Sequence, residues 1–189
     1  MDGAKQPYIM EHKKKIGTIS TFFKMEAQDY RDETFLDIKG DEIKKITVNY
    51  PGNRAESFEA IREDDGFTVS PLYDDVPKAP GVTNDKLVDA YFRQFTNKSA
   101  EGIDTGTPDT KKIKRTRPFL ELKVHKMNGT IADYTFVPYK RVHEDYDPNP
   151  KDAPAIDRYY TIHEDDIFTI QYQPMKEVFR GYSYFFLNK

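Results

Sequence analysis

From Ile43 onward the chain alternates. Ile46, Val48 and Tyr50 fall on one side and Lys45, Thr47 and Asn49 on the other, the period of two that marks a half-buried strand. Pro51-Gly52-Asn53 supplies loop geometry. SFEAIRE and FTVSPL read as two more strands around Asp64-Asp65-Gly66, where Asp-Gly is a strong hairpin signal. Over residues 83–97 the period changes. Leu87, Val88, Tyr91, Phe92 and Phe95 form a stripe down one side of a helix. Thr83 or Asn84 suits its N-cap, Asp85 its first turn, and Asp89 with Arg93 makes an i,i+4 pair. Periodicity lapses from Lys98 to Pro118, through GIDTGTPDT and the basic KKIKRTR, which predicts a linker.

Alternation returns in FLELKVHK, with Leu120, Leu122 and Val124 on one face, and in TIADYTFVPYKR, with Ala132, Tyr134 and Phe136 on one face. The faces fix the turn between them. A two-residue Asn-Gly turn would set Val124 against Asp133 and Leu122 against Thr135, apolar against polar. A three-residue loop, Met127-Asn128-Gly129 with Gly129 left-handed, sets Val124 opposite Ala132, Leu122 opposite Tyr134, Leu120 opposite Phe136 and Lys123 opposite Asp133. The three-residue loop is therefore expected. A Pro-rich excursion, DYDPNPKDAPAID, precedes two strands, RYYTIHE and IFTIQYQ. Pro174 then fits a first helical position, with Met175, Val178, Phe179 and Tyr182 at helical spacing.

REDDGFTVS (62–70) and HEDDIFTIQ (163–171) share Glu, Asp, Asp, Phe and Thr, and each precedes an amphipathic stretch. The expected fold is α+β, two tandem strand-strand-strand-helix units with mainly antiparallel sheets. The parts would be an N-terminal arm (1–34), a first β-rich unit with helix (35–103), a linker (104–118) and a second such unit (119–189).

Composition changes this picture little. In 189 residues, 13 Tyr and 13 Phe give a real core despite a mean hydropathy of -0.81. Lys+Arg number 29 against 32 Asp+Glu, a net charge of -3 without the basic excess that nucleic acid requires. The absence of Cys excludes disulfides, thiolate catalysis and Cys-ligated zinc. No apolar run approaches the ~18 residues of a membrane span, and Met1 does not open a signal peptide. Either the protein is cytoplasmic or a leader precedes this sequence.

Candidate chemistry is thin. Asp145, Asp147 and Asn149 are spaced like the first three ligands of an EF-hand loop, and Asp152 follows them, so these four residues are the candidate metal ligands. The pattern breaks at Pro150, where Gly is required, and at Ile156, where Glu is required. The two acidic turns pair as a second metal possibility, against the plainer reading of soluble turn residues. His12, His125, His143 and His163 lack ligand spacing, and no nucleophile elbow, P-loop or dinucleotide fingerprint occurs. No catalytic residue and no cofactor is expected. KKIKRTR suits a solvated linker, and YSYFF (182–186) either a buried terminus or a patch for a partner.

The order of YRDETFLDIKGDEIKKITVNY, the hairpin into DGFTVSPL, the helix NDKLVDAYFRQF and the later FLELKVHKMNGT to MKEVF resembles a bacterial envelope family known only as a domain of unknown function. The likeness covers roughly residues 30–180 and includes Arg31-Asp32 before the first strand; Phe67 stands where that family usually has Trp. The resemblance implies a place outside the cytoplasmic membrane, behind an N-terminal anchor, beside transporter or gliding-type components, and it carries over no catalytic residue. The expected function is a non-catalytic binding or scaffolding module with a protein or envelope-polymer partner. The alternative is a metal-dependent enzyme or calcium-assisted carbohydrate binder using the acidic loops.

Overall fold

The computed structural model describes residues 32–104, 110–139, 142 and 157–186. The chain divides between Asp32 and Glu33, and every strand and helix among the described residues belongs to the second part. The expected arm lies, up to residue 31, outside the described residues. In chain order the elements are β1 (Thr34–Leu36), β2 (Ile43–Asn49), β3 (Phe58–Glu63), β4 (Gly66–Pro71), α1 (Asp85–Phe92), β5 (Lys98–Ser99) and β6 (Gly102–Asp104). These are followed by α2 (Thr110–Arg115), β7 (Leu120–Lys126), β8 (Ile131–Pro138), β9 (Arg158–His163), β10 (Asp166–Gln171) and α3 (Tyr172–Met175). Eight strands form one antiparallel sheet in the order β4-β3-β2-β7-β8-β9-β10-β6, and β1 pairs with β5 in a small second sheet. The mixed, mainly antiparallel class is as expected, and sheet dominates it.

The sheet follows from its alternation. Ile46, Val48 and Tyr50 are buried, and across β7 and β8 the register is Val124↔Ala132, Leu122↔Tyr134, Leu120↔Phe136 and Lys123↔Asp133. Gly129 has φ +85°, so the three-residue loop turns where only Gly does so without strain. On the buried face α1 lays Val88, Tyr91 and Phe92, and Phe95 follows in a 3₁₀ turn (Arg93–Phe95). Asn84 caps α1, accepting from the Leu87 N–H at 3.4 Å. Phe185, from the 3₁₀ turn Tyr182–Phe186, packs its ring 4.9 Å from Phe58 and 5.3 Å from Tyr91. Full burial of such a ring stabilises by roughly 1.5–3 kcal/mol.

The opposite face is divided. Under β8–β10 a second apolar cluster joins Val137, Tyr160 and Ile167 to Ile113 of α2. Under β2, β3 and β7 the face is polar: Lys45 meets Glu59 at 3.0 Å, and Asn49 donates to Glu121 at 2.7 Å.

Three expectations need correction. The stretch 104–118 holds part of β6 and helix α2, and Ile113 in KKIKRTR is fully buried. The helix expected from Pro174 is a single turn beginning at Tyr172. Beyond it, the carbonyls of Val178 and Arg180 accept from the hydroxyls of Tyr91 and Tyr50, both at 3.1 Å, rather than continuing a helix. The two matched motifs are also offset. The first hairpin closes Glu63↔Gly66 around Asp64-Asp65, the second His163↔Asp166 around Glu164-Asp165, one residue earlier in the shared sequence. Gly66 adopts φ +147°, which Ile167 at the matching position would not tolerate; in the second hairpin Glu164 takes the positive φ, +54°.

The two meanders flank β7. From it, β2-β3-β4 extends to one side and β8-β9-β10 to the other, with equal strand directions and the same buried face. The two triplets therefore run in opposite lateral directions from β7 within one sheet, and the structure does not separate them into tandem units.

Candidate functional site

The hairpin β3–β4 forms one border of the sheet. Its pairing Glu63↔Gly66, Ile61↔Thr68 and Glu59↔Ser70 continues into a hydrogen bond from Leu72 N to Ser57 O at 3.0 Å. In an antiparallel ladder these positions exchange hydrogen bonds with β3, and the alternate ones, Phe67, Val69 and Pro71, turn their backbone groups outward. The N–H and C=O groups of Phe67 and Val69 hydrogen-bond no other described residue. Pro71, which lacks an N–H, sits at an outward position, where sheets tolerate proline.

Beyond Pro71 the chain returns along residues 72–84 to the start of α1. This brings Val82, Thr83 and Asp85 beside Glu63, Asp65 and Phe67 around a groove of about 360 Å³. That volume lies within the range of ligand sites, about 300–1,000 Å³. Gly66 makes the approach possible: a Cβ there would lie 3.0 Å from Asp85 Oδ2. Val82 is 90% exposed, the most exposed large apolar side chain described. The guanidinium of Arg62, the residue before Glu63, gives its hydrogen bonds elsewhere. It donates to Gly40 O at 2.7 Å and to Ile43 O at 3.2 Å, and lies over the rings of Phe67 (4.9 Å) and Phe92 (5.2 Å). The groove therefore presents carboxylates, one exposed apolar side chain and a strand whose outward backbone groups have no partner among the described residues.

Two other places were candidates. A cavity of about 170 Å³ lies among Tyr91, Gln94, Glu177, Arg180 and Tyr184. There Glu177 accepts from Arg180 at 2.7 Å, and this hydrogen bond raises the guanidinium pKa further. The polar sheet face carries His125, whose pKa is lowered by partial burial and then by Lys45. Its charged groups are paired among themselves, with Lys123 3.6 Å from Asp133.

Asp145, Asp147, Asn149 and Asp152 lie outside the described residues, as do His12 and His143. The two acidic turns project from the same end of the sheet, but their hairpins are five strand spacings apart, about 24 Å. They form no joint metal site. Among the described residues no three His, Asp or Glu side chains are grouped to hold a metal. His163 stacks on Tyr134 with centroids 4.2 Å apart, and its Nδ1 lies 2.8 Å from the Asp133 carbonyl. YSYFF contributes Tyr182 and Phe185 to the core. The groove eluded sequence reading because Glu63 and Asp85 are far apart in the chain; Pro71 at the end of an apolar strand was the one local sign of an edge.

No family model matches the chain, and no curated protein or solved structure matches it.

Proposed function

We propose that the protein is a non-catalytic binding or scaffolding module of the bacterial cell envelope, holding a protein or envelope-polymer partner as an accessory to a larger transporter- or gliding-type assembly. The observation that carries the binding role is the β4 edge, unpaired among the described residues, beside an acidic groove with an exposed valine. Native sheets normally cover, shorten or charge such an edge or place Pro on it; β4 has Pro only at its last position, Pro71, and no charged residue of its own. The envelope location rests on the family resemblance; among the described residues no helix is long and apolar enough to cross a membrane. The two tandem units suggested by the repeated motif play no part in this reading. The meanders act as the two wings of one sheet, and the shared acidic turns keep hairpin tips soluble.

The test is capture. Immobilised protein is exposed to solubilised membranes and to cell-wall polymer, and a saturable partner, displaced by free protein, is expected. Turnover of a carbohydrate or ester panel without saturable capture would overturn the reading. Cell fractionation tests the location, and a pool confined to the cytosol would refute it.

A further inference from the structure

We infer that the β4 edge takes up an extended, basic segment of the partner as an additional strand of the sheet. This rests on the binding-module reading and names the partner's chemistry. Phe67 and Val69 each offer an outward N–H and C=O, roughly 7 Å apart along the strand, the repeat with which an incoming strand presents its own groups. Pairing there supplies main-chain hydrogen bonds, and flanking side chains select the sequence. Here the selection is electrostatic. Glu63, Asp65 and Asp85 border the groove, and Arg62 gives its hydrogen bonds to backbone carbonyls, so three carboxylates without an ion-pair partner among the described residues stand against one guanidinium. Val82 and half-buried Phe67 give an alternating ligand somewhere to set an apolar side chain.

The same charges argue against a second copy on this edge. Antiparallel pairing of β4 with itself would carry each acidic hairpin tip towards the other copy's Asp74, placing like charges together; Asp75 beside it is paired with Arg54 at 2.8 Å. At its far end Pro71 offers only a carbonyl, so the new ladder stops there.

The probe is a synthetic peptide, Lys-Thr-Lys-Val-Lys-Thr-Lys, titrated into the isotope-labelled full chain with amide shifts followed by NMR. The expected result is saturable perturbation and slowed hydrogen exchange at Phe67 and Val69. A peptide with Glu in place of Lys should not bind, nor should one with Pro at its centre. The variant Glu63→Gln/Asp65→Asn/Asp85→Asn should bind about tenfold more weakly. Thr68→Lys, which adds a cation on an exposed position of the strand, should weaken binding independently of the groove carboxylates. Equal binding of basic and acidic peptides, or perturbation confined to other surfaces, would overturn the proposal. So would protection of these amides by concentration-dependent dimerisation, or by the chain itself without peptide. If membranes yield a saturable partner while the peptide leaves β4 untouched, only this inference fails. If neither binds, the binding reading fails with it.

Discussion

Thr161 shows at the scale of one residue what the sheet demands of its centre. It is fully buried, and its cross-strand neighbours are Phe136 on β8 and Phe168 on β10. Its hydroxyl has no hydrogen-bond partner among the described residues. Leaving such a group unsatisfied costs about 1–3 kcal/mol, whereas an isosteric methyl has no such penalty. Thr161→Val is therefore expected to raise unfolding stability by about 1 kcal/mol, read as a higher urea midpoint with unchanged slope. A lower midpoint would mean that the hydroxyl has a partner after all. In the sequence, a Thr in RYYTIHE looks like an ordinary strand residue, and Tyr159, Tyr160 and Thr161 are all buried, so alternation gives no sign of it. Only its two neighbours reveal the orphaned group.

At the scale of elements, the C-terminal stretch shows why periodicity misleads. Met175, Val178, Phe179 and Tyr182 suit a helix, and Met175, Val178 and Tyr182 are indeed buried, yet the backbone is a single helical turn, bends and a 3₁₀ turn. The stretch is pinned from outside: Tyr91 and Tyr50 donate to its carbonyls, Tyr182 Oη accepts from Ala79 N at 3.0 Å, and Ser183 donates to Glu56. None of these partners is near in sequence, so local spacing could not reveal them. The strap is fastened chiefly by Phe185. Phe185→Ala should cost about 3–5 kcal/mol, while Phe186→Ala, at a partly buried ring against Tyr182, should cost clearly less. Urea denaturation of the two variants checks the order, and equal losses would show that the strap is held by its polar contacts. The β7–β8 hairpin is the opposite case. Its register was legible because every face could be scored from residues within one short segment.

Across the whole molecule, the sequence announced the strands but not their lateral order, because order depends on which edges meet, and β2 beside β7 joins segments far apart in the chain. The open edge, and with it the groove, followed from that order. The same long-range packing shuts tyrosine hydroxyls away from water, and this has a consequence at high pH. Burial is the main cause of raised pKa values at Tyr50, Tyr91 and Tyr134; the charge of Glu56 adds to it at Tyr50 and that of Glu164 at Tyr134, which is pushed up to about 12. In the unfolded chain each phenol titrates near pH 10. Above that pH the folded state still holds protons that the unfolded state releases, so stability falls as pH rises. The stability tied to these protons is fully present below about pH 10, and the Tyr134 share is gone by about pH 12. Thermal unfolding from about pH 8 to about pH 11.5 should show a level melting temperature and then a steep decline. Tyr91→Phe should start from a lower melting temperature, since Val178 O loses its donor, and decline less steeply above pH 10. Parallel curves for the two proteins would show that Tyr91 ionises as freely when folded as when unfolded, contrary to its complete enclosure in the aromatic core.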